Sequence, residues 1–279
     1  MLLRSHNLAE ENDMKQLLFA SLLLCVSGPS FMKADFISTV NSTNPLAYFR
    51  LETVNGSSQV NGYVTTYVNG AGEGSPGAVA EPSNNYLKLS SASQQYASTS
   101  LSGGINTAGS MMAWVNLASL PSPNGTYYIA GESQVGNDFD LQFQNDNKLY
   151  FYSGGGSAVS YTPATASLIG QWHMIAATYN ATTNTQDIYW DGSLVSSGNV
   201  GSGTNKTGAF WIGASSVFGG RYFNGGIDEV GVWNYDLSAA QVSSIYSSAS
   251  PVGAAPEPAS FLLLGLGLPV MFWIRRRRT

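Results

Sequence analysis

The chain has 279 residues, room for one large β domain with tails, and its 43% hydrophobic and 12% aromatic shares exclude a disordered chain. Residues 35–255 carry five basic and thirteen acidic side chains, a net of −8, so no basic stripe exists to neutralise phosphates and nucleic acid is excluded as a partner. The single cysteine, Cys25, lies close to the N-terminus, which excludes disulfide and thiol chemistry from the domain that follows.

In chain order, Met14-Lys15, an apolar run over 17–26 and then Ser27, Gly28 and Pro29 read as a signal peptide over 14–34, a substrate for signal peptidase. Residues 1–13 hold Glu10, Glu11 and Asp13, which do not suit the start of such a signal, so translation is expected to begin at Met14. The domain is expected over 35–249. Short apolar stretches there alternate with Gly, Asn, Asp and Ser clusters, which predicts strands over 47–52, 112–117, 140–144, 148–152, 172–179, 188–190, 193–195, 210–213 and 227–233. Asn145-Asp146-Asn147 supplies one turn, and Asp191-Gly192 accepts the positive φ angles of a type I′ hairpin.

One short helix is expected after Ser238, where Gln241 three residues on completes a capping box and Leu237 can staple against Val242. Residues 250–255 read as a linker. These patterns predict an all-β fold, a two-sheet antiparallel sandwich or jelly roll, and composition does not separate the two.

The tail has its own order of parts: Pro256-Glu257-Pro258, an apolar run over 261–274, then Arg275, Arg276, Arg277 and Arg278. With Ala259 and Ser260 the run makes a hydrophobic helix of roughly 24 Å, short of a ~30 Å hydrocarbon core. The arginines stay cytoplasmic and place everything before them outside, as a membrane anchor would. This order resembles the PEP-CTERM sorting signal over 256–279. The resemblance implies an exosortase as processing partner, transient anchoring in the inner membrane, and release to the cell surface of a bacterium that makes extracellular polysaccharide.

The domain carries a second resemblance. Residues 45–52 (PLAYFRLE), 111–117 (MMAWVNL), the Trp172-His173 strand with its Asp-Gly hairpin, and above all FNGGIDEVGVWNY at 223–235 followed by Leu237-Ser238 are similar to the laminin G-like, concanavalin A-like jelly rolls. That family implies two stacked antiparallel sheets and binding of carbohydrate or a protein partner. It also implies a structural calcium, with Asp228 as carboxylate ligand and Glu52 beside it. Local backbone hydrogen bonding is the competing role for Asp228.

Enzymatic chemistry is not expected. Glycosidase relatives of this fold place their carboxylates on one strand with Glu-x-Asp-x-x-Glu spacing, and here Asp138-Phe139-Asp140 lacks the matching Glu. Asp228 and Glu229 are adjacent, so on a strand they face apart, one at the surface and one in a structural contact. His173 is the domain's only histidine, too few for zinc, and is expected to be packed or at a rim. Sugar binding needs exposed rings, for which the candidates are Tyr127, Tyr128, Tyr150, Tyr152, Phe218 and Tyr222. The expected function is an exported lectin-like module; a glycoside hydrolase of the same fold or a purely structural matrix protein are the alternatives.

Overall fold

The computed structural model describes residues 35–249, except 81–83, 122, 124, 134–137, 156–157 and 201–205. The signal peptide, the linker and the sorting segment from Pro256 to Arg278 lie outside the described residues.

Helix α1 (Phe36–Ser42) opens the domain, followed by β1 (Ala47–Phe49), β2 (Thr65–Val68), β3 (Gly72–Gly74), β4 (Tyr86–Leu89) and β5 (Tyr96–Ser102). Next come β6 (Ala108–Leu117), β7 (Tyr127–Glu132), β8 (Phe139–Phe143), β9 (Leu149–Tyr152), β10 (Ala158–Tyr161) and the short α2 (Thr165–Leu168). The chain continues with β11 (His173–Asn180), β12 (Thr185–Trp190), β13 (Ser193–Gly198), β14 (Ala209–Ile212), β15 (Gly225–Trp233) and α3 (Ala239–Ser248).

Two antiparallel sheets result. The first runs β13-β12-β11-β6-β15-β4-β3, with β1 also paired to β15; the second runs β10-β9-β8-β7-β14-β5-β2. Every residue of β6 from 111 to 115 is buried, which follows from its place at the centre of a sheet covered on both faces. Phe139, Leu141, Phe143, Leu149, Phe151, Val115, Ile175 and Ile227 meet between the sheets in the main core.

A second buried cluster lies on the outer side of the first sheet, where Phe36 and Val40 of α1 and Val242 and Ile245 of α3 pack with Trp114 and Trp233. Helix α3 starts on the expected capping box: Gln241 donates its backbone N–H to Ser238 Oγ and accepts the Ser238 N–H on Oε1. Leu237 and Val242 are both buried there, as a staple requires. The Asp191-Gly192 turn has φ of 48° and 78°, the type I′ signature.

Two expectations change. The strand expected over 47–52 stops at Phe49, because Leu51 takes a φ of 61° and ends the pairing. Asp228 and Glu229 do not divide between surface and interior: a bulge between Asp228 and Gly231, with Glu229 at φ 52°, buries both.

Candidate functional site

With α1 and α3 covering part of the first sheet's outer face, the outer face of the second sheet is the one these helices leave open. Next to its central strand β7 lies β8, where DFDLQFQ at 138–144 alternates with period two. Phe139, Leu141 and Phe143 enter the core, so Asp138, Asp140, Gln142 and Gln144 form a polar ladder on the opposite face. On β9 the same alternation turns Leu149 and Phe151 inward and Tyr150 and Tyr152 outward, their rings stacked 6.2 Å apart. On β14, Trp211 stands outward between buried Phe210 and Ile212 and stacks on Tyr96 at 4.5 Å. Tyr222 lies 6.4 Å from Tyr96 and completes that aromatic group.

Between the two aromatic groups the loop after β14 brings Phe218 and Arg221 over the ladder. Arg221 donates to Gln142 Oε1 at 3.2 Å, and its guanidinium lies 4.3 Å from the Phe218 ring centre. Asp138, Asp140, Gln142, Gln144, Tyr152, Phe218 and Arg221 enclose a pocket of about 130 Å³. Gln144 donates to the Tyr152 hydroxyl at 2.8 Å and Tyr150 donates to Asp146 at 2.9 Å, so both rings are held in place. Asp140 is fully buried in the pocket wall, and its Oδ1 has no hydrogen-bond partner among the described residues. Burial first, then the neighbouring Asp138, pushes the Asp140 carboxyl well above the usual carboxylate range.

The candidate rings therefore separate. Tyr150, Tyr152, Phe218 and Tyr222 belong to this face. Tyr127 does not: it points to the core side against Phe223 at 6.0 Å, with its hydroxyl on Ser119. Tyr128 shares the outer side but is fully buried; its hydroxyl accepts from Ser133, which in turn accepts from Ser215 of the overlying loop. Neither ring can stack on a ligand. Trp211 and Tyr96 were not among the sequence candidates, although the inward residues on either side of Trp211 carry the signal that it faces out.

The calcium candidates also separate. Asp228 accepts the backbone N–H of Ala78 on Oδ2 at 2.8 Å and that of Glu229 on Oδ1 at 3.0 Å. Its Oδ2 lies beside Asn85 O and Asn84 Oδ1, all three so close to Gly77 that a Cβ there would meet Asp228 Oδ2 and Asn85 O at 2.6 Å. Asn84 Oδ1 is buried without a hydrogen-bond partner among the described residues. All three oxygens crowd Gly77, and the Asn84 oxygen is orphaned. Glu52 is not part of this group: Oε1 is paired with Arg50 at 2.5 Å and Oε2 accepts the Asn85 N–H at 2.8 Å. Both of its oxygens are engaged within the chain, and one of them holds Asn85.

His173 is a packed rim residue. Nδ1 contacts Asp191 Oδ2 at 2.8 Å and Nε2 contacts the Ser167 carbonyl at 3.0 Å, which ties α2 to the β12–β13 hairpin.

Comparison with known proteins places this geometry in a family. A model of the concanavalin A-like lectin/glucanases superfamily matches residues 84–243, and the PEP-CTERM protein-sorting motif matches residues 254–278. A rat protein, "sushi, von Willebrand factor type A, EGF and pentraxin domain-containing protein 1", is 32% identical over 144 residues, 48% of this chain and 4% of that protein. Among solved structures, domain 4 of an extracellular arabinanase from Geobacillus stearothermophilus, in complex with arabinotriose, has a TM-score of 0.53 at 19% identity, covering 72% of this chain and 97% of that one. The ligand binding domain of botulinum neurotoxin serotype D, in complex with N-acetylneuraminic acid, has a TM-score of 0.57 at 12% identity over 76% of this chain and 52% of that one. A Trypanosoma rangeli sialidase mutant with trans-sialidase activity has a TM-score of 0.53 at 16% identity over 74% of this chain and 33% of that one. At such identities the likeness is one of fold. The chain belongs to the concanavalin A-like lectin/glucanase superfamily and ends in a PEP-CTERM sorting motif.

Proposed function

We propose that this exported surface protein carries a non-catalytic module that binds a saccharide on the open face of the second sheet. The observation that carries the reading is the pocket itself. A buried Asp140 carboxyl, its Oδ1 without a hydrogen-bond partner among the described residues, lies beside a ladder of amides and between two aromatic groups, Tyr150–Tyr152 and Tyr96–Trp211–Tyr222. Rings offer flat apolar surface to the C–H face of a sugar, while amide and carboxyl groups exchange hydrogen bonds with its hydroxyls. The sorting motif supports delivery to a surface where polysaccharide is met, after exosortase processing. The arabinotriose and N-acetylneuraminic acid in complex with two structural neighbours support a sugar ligand by likeness of fold.

Calorimetric titration of the full chain in mild detergent with arabinotriose and a panel of neutral oligosaccharides tests the proposal. Saturable binding to at least one member is expected, and no heat with any of them would refute it. One observation favours a second reading as a glycoside hydrolase: Asp140, whose carboxyl burial pushes above the usual range, has Asp138 two residues away on the same face, an acid beside a second carboxylate. Reducing ends released from polysaccharide by the wild type, and lost in Asp140→Asn, would select that reading.

We also propose that calcium is held by Asp228, Asn84 and the Asn85 carbonyl as a structural ion. It would keep Asp228 ionised and tie the segment around Gly77 to β15. Saturation at a hundredfold over Kd would add about 2.7 kcal/mol, and EDTA should then lower Tm by roughly 5–10 °C, restored by calcium and smaller in Asn84→Ala. An unchanged Tm in EDTA contradicts the assignment.

A further inference from the structure

The first sheet has its own opening beyond the reach of α1 and α3. Lys88 of β4, Gly226 of β15 and Asn116 of β6 lie side by side in register, and Gly72 of β3 adjoins Lys88 on the other side. Leu87, Leu89, Ile227, Val115 and Leu117 on the same strands are in the core, so this row faces outward. The two glycines pave the floor. Tyr86 lies across it: a Cβ at Gly226 would meet the Tyr86 ring at 2.9 Å and Trp172 at 2.7 Å, and one at Gly74 would collide with the Tyr86 hydroxyl end. Trp172 stands against Tyr86 at 77° and 5.2 Å, a wall beside a floor. Both rings are partly exposed.

The trough lined by Tyr86, Lys88, Ser90, Asn116, Asn224 and Gly226 has a volume of about 320 Å³, within the range of small-ligand sites. Among the described residues no carboxylate lines it. Lys88 is exposed, and neither it nor the Asn116 amide has a side-chain hydrogen-bond or ion-pair partner among the described residues. A lone cation over an aromatic floor, in a domain whose net charge is −8, selects an anion that also has an apolar face. From this geometry we propose a second, independent site for a carboxylated sugar residue of an acidic polysaccharide. The pyranose stacks on Tyr86 against Trp172, its carboxylate pairs with Lys88, and its hydroxyls bond to Asn116 and Asn224. The site lies on the opposite face of the sandwich from the Asp140 pocket and does not depend on it. With both occupied, one domain would bridge two polysaccharide chains.

Tetragalacturonate and its carboxyl-reduced, neutral counterpart are the probes, titrated into the full chain in mild detergent at low and high salt. The acidic oligomer is expected to bind with an affinity that falls as salt rises, and the neutral one at least threefold more weakly. Lys88→Gln, an exposed substitution that leaves the fold intact, should weaken the acidic oligomer roughly three- to tenfold and flatten the salt dependence. Tyr86→Ala should weaken both oligomers. Equal affinity for the two oligomers, an unchanged affinity in Lys88→Gln, or loss through Arg221→Ala in place of Lys88→Gln would overturn the assignment. The last result would move the acidic ligand to the other face.

Discussion

Stability of the domain is expected to fall as pH rises from about 5 to 8, the reverse of ordinary acid denaturation. Glu132 and Glu229 are both fully buried, and burial pushes each carboxyl from 4.5 up to about 7. Glu132 accepts the Gly103 N–H at 2.9 Å, but its Oε2 has no hydrogen-bond partner among the described residues. An acid whose folded pKa exceeds its unfolded value holds its proton more tightly when folded. Its stabilising contribution is therefore complete below the unfolded pKa and lost as pH climbs through the folded one. Asp140 and Asp228 shift in the same direction, again through burial first.

His173 adds to the trend: burial opposes its charge, but the bonds to Asp191 and the Ser167 carbonyl outweigh this and raise its pKa, so its contribution also fades as pH rises. Lys206 works the other way above neutrality. It is buried over the Tyr179 ring, donates to the Ser153 carbonyl at 2.7 Å, and burial lowers it to about 8. As a base with a depressed folded pKa it costs stability below 8 and relaxes above it. Urea melts in EDTA should give an unfolding free energy larger at pH 5 than at pH 8 by on the order of 5 kcal/mol, and Glu132→Gln should remove part of that slope. A flat or rising profile over this window contradicts the assignment of these carboxyls as buried and protonated.

The second large effect is expected at Arg50. Its Nε lies 3.4 Å from Glu229 Oε1 and its terminal nitrogen 2.5 Å from Glu52 Oε1, while the Tyr48 hydroxyl donates to Glu229 Oε2. Glu229 sits at a positive φ on the bulge of β15, against Asp228, so the guanidinium is the cation that allows two adjacent interior carboxyls. At pH 8, above the Glu229 pKa of about 7, Arg50→Ala leaves that charge uncompensated at about 3–5 kcal/mol, roughly 10 °C in Tm for a domain of this size. Arg50→Ala combined with Glu229→Gln should lose less than Arg50→Ala alone, because the orphaned charge goes too. Equal losses in the single and double variants would show that Arg50 acts through packing only.

These buried groups mark the limit of what the sequence discloses. Strands with clean alternation, such as 140–144 and 148–152, were legible together with the turn between them, because period two forces one side into the core. The capping box at Ser238 and the Asp-Gly hairpin were legible for the same local reason. The β2, β3, β5 and β10 strands carry too few apolar residues to declare themselves and form because a neighbouring strand completes their hydrogen bonds. Helix α1 was missed too, although Asp35 caps it by accepting the Ser38 N–H at 2.7 Å. At the site, Tyr150 and Tyr152 followed from alternation, whereas the burial of Tyr128 depends on a loop nearly ninety residues later in the chain. The bulge that turns both Asp228 and Glu229 inward is likewise a product of pairing with β6, invisible in a local pattern.

The most direct test of the central claim is binding of the full chain, in mild detergent, to an immobilised bacterial exopolysaccharide. Wild type is to be compared with Tyr152→Ala/Trp211→Ala, two partly exposed rings whose loss should leave Tm nearly unchanged. The saccharide-binding face described above predicts that the double variant loses at least tenfold in affinity. Full-strength binding by a double variant of native Tm would contradict it.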